Sequence, residues 1–333
     1  MQRASLMTKT FHARICSVAL ILVAGFLLRP AVAQDFPQRA VRIISPYPAG
    51  IGPDLVMRVV AEQLTQTWKQ PVVVESRTGG SGIPAMEALK SAAPDGYTLA
   101  IAGDAQVAIN PFVHRSLSYD PRSDFAPIMR LISTPFLMIV SAKGPYQSVP
   151  DLIAAARSAP GKVSYGAIFI ASPVHLGAAQ FASLINAEMV FVPYRDNQQM
   201  LVNIANGELG WTLSTTASAA SLIEKGMLKP IAIAQKARSP SFPNIPTVAE
   251  AGGPELVVQS WLALLAPRGT PPKAIQQINA DMTAALASPA VVERLRSFGY
   301  AAEPNSPEEL AKLIDDEMAK NGELIRRIGL TPQ

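Results

Sequence analysis

The sequence predicts an α/β protein of two lobes, each a mainly parallel sheet flanked by helices, and three observations carry that prediction. Short β-branched runs alternate with helix-spaced segments along the chain. The alternation occurs twice, in two separate series. Glycine- and proline-rich turns stand where each strand hands over to a helix.

The first series starts with Val41-Arg42-Ile43-Ile44, stopped by Pro46, Pro48 and Gly50. Residues 54–68 place Leu55, Val59 and Leu64 broadly on one side, the spacing of an amphipathic helix. Val72-Val73-Val74 is the next strand, closed by Gly79-Gly80-Ser81-Gly82. An Ala-rich helix over 84–92 and a strand over 98–102 complete a βαβαβ order, which favours a parallel sheet. The second series places strands at 136–140, 163–166, 190–192, 210–214 and 230–234. Helices at 150–158, 173–186, 197–206 and 217–225 lie between them. A strand over 261–266 and a mostly helical stretch over 271–329 follow. The domain reading is 34–138 plus 259–333 for the first lobe and 139–258 for the second.

The N-terminus has the layout of a secretory leader. Arg3, Lys9 and Arg14 precede an apolar run over 18–28, and Ala31-Val32-Ala33 follows, so cleavage is expected after Ala33. That run is about 11 residues, short of the roughly 20 that span a bilayer. Removing residues 1–33 takes away four of the 29 Lys and Arg and none of the 25 Asp and Glu. The remainder is near neutral, which removes the electrostatic motive for binding nucleic acid. The single Cys, Cys16, leaves with the leader. No disulfide, thiolate nucleophile or cysteine-based metal site is then expected, and no cofactor.

Ligands of open α/β sheets sit beyond the carboxyl ends of strands, so the informative residues lie in the βα loops. In the first, Tyr47-Pro48-Ala49-Gly50-Ile51-Gly52, the glycines allow close backbone approach and a helix N-terminus offers N–H groups to an anion. Asp54 either caps that helix or meets the ligand. Ser81 offers a hydroxyl from the second loop. Asp104, in the third, would repel a carboxylate or hold an amine or hydroxyl of the ligand. No phosphate-loop lysine follows any of these glycines, so a nucleotide is not expected.

The same loops carry a resemblance. Pro46 to Asp54 is similar to P-F-P-P-G-G-x-x-D, and Pro71 to Gly82 to Q-P-V-V-V-E-N-R-x-G-A-G-G. Pro94-Asp95-Gly96-Tyr97-Thr98-Leu99 matches P-D-G-Y-T-L. Asn110-Pro111, Tyr119-Asp120-Pro121, Asp124 to Ile128, Val192-Pro193-Tyr194, Ile245 to Gly252 and Ala266 to Pro271 follow in family order. The chain resembles the Bug family, the solute receptors of tripartite tricarboxylate transporters, over essentially all of its length after the leader. That resemblance implies a type II periplasmic-binding fold with two crossover strands. It also implies a small carboxylate ligand (dicarboxylate, amino acid or aromatic acid) and delivery to a two-subunit membrane permease; a binding protein that serves a sensor system in place of a permease would have the same binding chemistry. A periplasmic monomer without catalytic chemistry is the expectation.

The largest departure lies at Tyr165 to Leu176, in the place of Y-G-S-x-G-x-G-S-x-x-H-L. Ser172 and His175 match, while Phe169 and Ala171 replace glycines. Either the ligand is bound less closely there or it is apolar at that end. Ser172 and Pro173 read as a helix start. Arg195 can pair with a carboxylate or be neutralised by Asp196, and Thr215 and Thr216 can add hydroxyl donors. Trp68, Trp211 and Trp261 read as packing residues. An exported enzyme finds little support, because neither a Gly-x-Ser-x-Gly elbow nor a His-Glu-x-x-His helix is present.

Overall fold

The computed structural model describes residues 36–50, 52–168, 170–239 and 242–332. The predicted leader and two of the residues singled out from the sequence, Ile51 and Phe169, lie outside the described residues.

The first sheet is built on β1 (Val41–Ser45), β2 (Val72–Ser76) and β3 (Thr98–Gly103), which pair in parallel. Two further strands, β4 (Phe125–Pro135) and β10 (Gln259–Pro267), pair antiparallel with each other, and β10 also runs antiparallel to β3. With the two-residue β11 (Ala301–Ala302) the order is β11-β4-β10-β3-β1-β2. The second sheet has order β7-β6-β8-β5-β9. Its strands are β5 (Leu137–Ser141), β6 (Ser164–Ala167), β7 (Val190–Pro193), β8 (Trp211–Ser214) and β9 (Leu228–Ile233).

Both sheets are thus mixed. The parallel pairing read from the βαβ order holds for β1–β3 and for β6–β8, and the strands that carry the chain between sheets enter antiparallel. A crossing strand continues in one direction through both sheets, so its sense is set by the crossing and not by a local crossover helix. The chain passes from β4 to β5 at Phe136. Leu137 and Met138, read from the sequence as first-lobe residues, therefore pair in the second sheet.

Helices cover both faces of each sheet. In the first sheet α1 (Gly52–Trp68) packs with α8 (Pro272–Leu286) and α9 (Pro289–Ser297) on one face. On the other, Met86 and Leu89 of α2 (Ile83–Lys90) and Leu310, Ile314 and Met318 of α10 (Pro307–Arg327) close over Ile44, Ala100 and Trp261. Between β3 and β4 lie a π-turn (Ala105–Ile109) and the one-turn α3 (Asn110–Val113). In the second sheet, α4 (Val149–Ser158) and α5 (Pro173–Leu184) bury Phe181 against Trp211, ring centroids 5.3 Å apart. The opposite face is covered by α6 (Asn197–Ala205) and α7 (Thr216–Glu224).

Helix starts follow local chemistry. Ser148, Ser172, Asp196, Thr215, Ser288 and Ser306 each accept a hydrogen bond from a backbone N–H of the first turn, and Pro occupies an early position in several of these helices.

Candidate ligand-binding site

The loops at the carboxyl edge of the first sheet are held by one buried amide. Gln106, 5% exposed, accepts hydrogen bonds at Oε1 from the Gly103 N–H (2.9 Å) and the Tyr47 hydroxyl (3.3 Å). Its Nε2 donates to the Ser81 carbonyl (3.0 Å), to which Asn110 Nδ2 also donates (3.1 Å). Tyr119 completes the clamp by donating to the Gln106 carbonyl at 2.6 Å. Three loops distant in sequence are thereby fixed to one side chain. Gly82 sits so close that an added Cβ would lie 2.8 Å from Gln106 Nε2 and 2.9 Å from Pro46, which explains its glycine in space as well as in its φ of +82°.

Asp54 lies in the first turn of α1 with no exposed surface. Its carboxylate accepts from the Gly50 N–H (2.8 Å), from Arg58 at Nε (2.8 Å) and from the Ser76 hydroxyl (3.3 Å). Burial opposes its charge, but the Arg58 guanidinium and the Gly50 N–H outweigh burial and hold its carboxyl below the usual carboxylate range. The Gly50 N–H, expected to be free for a ligand anion, is therefore already engaged by the protein's own anion. Gly50 is exposed with a φ of +84° and open space around it, so its glycine serves the turn. Ala49 is exposed beside it. Gly52 has a different reason: a Cβ there would collide with the Tyr300 hydroxyl. Tyr47 and Tyr300 are both pushed up, chiefly by burial.

Asp104 is 6% exposed and accepts from the Ser260 hydroxyl at 3.2 Å. Burial, reinforced by Glu317, pushes its carboxyl up to about 7 against the Ser260 bond. It faces a cavity of about 20 Å³, shared with Glu317 and Lys320 of α10 and with Gly177 and Gln180 of α5. This contact links the first sheet's edge to the second.

On the second sheet, Ser172 caps α5 by accepting from the His175 N–H (3.2 Å). Ala171 is 5% exposed with a φ of +60°, so an alanine holds the conformation of the glycine it replaces. Its N–H donates to His175 Nδ1 at 2.9 Å, and its methyl packs with Ile109, Leu176, Leu324 and Ile325. Asp196 caps α6, accepting from the Gln199 N–H at 2.7 Å. The exposed Arg195 beside it has no hydrogen bond or ion pair among the described residues. Thr215 caps α7 and donates to the Ser218 hydroxyl at 2.9 Å.

A cleft of about 750 Å³ opens between the two sheets. Ser133 and Thr134 of β4, Thr216 and Ala217 of α7, Arg296 at the end of α9 and Tyr300 of the α9–β11 turn line it. Gly299 brings this turn against Ala217, whose Cβ would stand 3.2 Å from an added Cβ. Ser133 Oγ is sealed from solvent and unpartnered among the described residues. Arg296 is exposed and makes no side-chain hydrogen bond or ion pair among them. Of the residues named from the sequence, Gly52 reaches this cleft through Tyr300 and Thr215 through its neighbour Thr216. Tyr47 and Ser81 belong to the loops tied by Gln106, and Asp104 lines the small cavity beside α10; none of the three lines this cleft. Ser133, Gln106, Arg296 and Tyr300 escaped the sequence reading. Gln106 stood in the quoted loop, whereas Tyr300 comes from a segment some 250 residues from Gly52 and carries no local signal.

The model of the tripartite tricarboxylate transporter family receptor matches residues 56–330. The chain belongs to this family. Over 313 residues this receptor is 30% identical to Protein BugT of Bordetella pertussis strain Tohama I, covering 94% of this chain and 96% of that protein. Among solved structures it is similar to that of R. palustris Rpa4515 with adipate, at 31% identity and a TM-score of 0.75, covering 90% of this chain and 100% of the other. It is also similar to MatC (Rpa3494) from Rhodopseudomonas palustris with bound malate, at 26% identity and a TM-score of 0.70, covering 87% and 100%. The receptor family accounts for the two-lobed architecture. No helix among the described residues is long and apolar enough to cross a membrane, and no group of His, Cys, Asp and Glu among them could hold a metal ion.

Proposed function

We propose that this receptor captures a small organic carboxylate in the periplasm and hands it to a two-subunit membrane permease, after export through the predicted leader. The observation that carries this reading is the full-length similarity to a receptor solved with adipate, with the malate-bound relative in support. The cleft has the donors a carboxylate needs. Arg296 offers an uncommitted guanidinium, and Thr216 and Tyr300 offer hydroxyls. Residues 139–258 close on the remainder about the crossings near Phe136 and Val258, and a ligand favours the closed form by the difference in its affinity for the two.

A thermal-shift screen of residues 34–333 tests this against C4–C10 dicarboxylates, acidic amino acids and aromatic carboxylates. A ligand at 100 times its Kd adds about 2.7 kcal/mol to stability. A dicarboxylate is expected to shift the transition, and Arg296→Gln is expected to weaken it roughly tenfold, the worth of one charged hydrogen bond. If no carboxylate in the panel moves the transition, the reading is wrong.

A further inference from the structure

We propose that the cavity beside α5 is a second ligand site, shaped for a small neutral aromatic molecule that carries a hydrogen-bond acceptor. It has a volume of about 530 Å³ and shares no lining residue with the cleft between the sheets.

Two polar side chains of this cavity are nine-tenths buried, and each holds one donor without a partner among the described residues. His175, 6% exposed, uses Nδ1 to accept the Ala171 N–H, so a neutral ring carries its proton on Nε2, and that N–H has no partner among the described residues. Burial pushes His175 down to about 4, which keeps the ring neutral at physiological pH. Tyr165 is 5% exposed, and its hydroxyl makes no hydrogen bond among the described residues. Neither atom is sealed in the core, for the sealed unpartnered side-chain atoms are His114 Nε2, Ser133 Oγ, Trp211 Nε1 and Trp261 Nε1. The small open surface of both residues therefore faces this cavity. Two donors held unpaired are costly to the fold, and an acceptor placed between them removes that cost.

The walls are flat and apolar. Phe191 of β7 stacks on His175 with ring centroids 4.0 Å apart and lies 5.6 Å from Tyr165. Met189 and Ile328 face them. The mouth argues against an anion. Its cation, Arg327, is bound to Ser183 Oγ (2.9 Å) and to Glu323 (2.9 Å), and the exposed Glu188 also lines the cavity. With its cation already paired and a second carboxylate beside it, the site disfavours an anion and selects for a neutral ring bearing a carbonyl.

The test uses fluorine NMR of 4-fluorobenzamide titrated with the exported protein. A saturable broadening and shift is expected with the unaltered protein. Tyr165→Phe breaks no hydrogen bond of the fold and should weaken binding roughly fivefold, the worth of one neutral hydrogen bond. Ala187→Phe fills the half-buried wall and should abolish binding, and 4-fluorotoluene, which lacks the acceptor, should bind more weakly. The proposal is overturned by no saturable change. It is equally overturned by unchanged binding in Ala187→Phe, which would put the probe elsewhere, or by equal binding of the two probes, which would remove the role of the acceptor.

Discussion

The loops of the first sheet and the loop before α5 in the second do the same task, turning the chain from a strand into a helix, yet they are held by different forces. In the first sheet the holding is polar and internal. Gln106 and Asn110 reach the Ser81 carbonyl, and Gln106 also takes the Gly103 N–H and the Tyr47 hydroxyl. In the second, Ala171 sits in left-handed backbone, tied by one bond to His175, and its methyl is packed against Ile109 and α10, which belong to the first lobe. The first set of loops is therefore fixed whatever the second lobe does. The position of the second loop depends on the seam between lobes, so movement of the lobes is felt there.

Three substitutions break or sharpen this contrast. The largest effect is expected from Gln106→Leu, which strands the Gly103 N–H and the Tyr47 hydroxyl at once and leaves the Ser81 carbonyl with Asn110 alone. A loss of about 3 kcal/mol in urea unfolding is expected. A loss under about 1 kcal/mol would show that the loops are held some other way.

The second concerns pH, because Asp104 of the first lobe and His175 of the second are shifted in opposite directions. Asp104 is raised to about 7, so the stability tied to its neutral form is complete below its unfolded value near 3.8 and is lost as pH rises through 7. His175 is lowered to about 4, so its contribution is present above its unfolded value near 6.5 and is lost as pH falls toward 4. Asp104→Asn removes the first effect and leaves the second. Relative to the unaltered protein, the variant should gain about 2 kcal/mol between pH 5 and pH 8, read from urea midpoints. A pH-independent difference would mean that the Asp104 carboxylate is already ionised without penalty in the fold.

The smallest effect is expected from Ala171→Gly. Relief of left-handed strain, about 1 kcal/mol, is set against a lost buried methyl worth about 0.8 kcal/mol and a more flexible unfolded chain. The net change should stay within about 1 kcal/mol, while hydrogen exchange at the Ala171 amide should quicken. Unchanged exchange would show that His175 alone holds the loop, without the apolar seam.

Much of the fold was legible along the chain. The βαβ alternation located β1 to β3 and β5 to β9 within a residue or two, and the cap at Ser172 with Pro173 as the first helical residue was readable from residue type. The strand β4 was not, because Pro127 and Pro135 stand inside it and prolines argue against a central strand. Pro127 is tolerated because its pairing with Leu265 falls beside a register shift, where the ladder is already interrupted. The final stretch read as mostly helical is also broken by β11, whose two residues extend only because β4 offers them an edge.

The sequence by itself determined the order of the helices and of most strands, the family, and the neutrality of residues 34–333, since these rest on periodicity, local motifs and composition. Only the tertiary structure decided which donors remain for a ligand. It committed the Gly50 N–H to Asp54, brought Tyr300 against Gly52, left Arg296 uncommitted on the cleft, and turned His175 and Tyr165 toward a second cavity. The physical reason is that whether a polar group is spent or free depends on partners hundreds of residues away, and no local pattern along the chain encodes those distances.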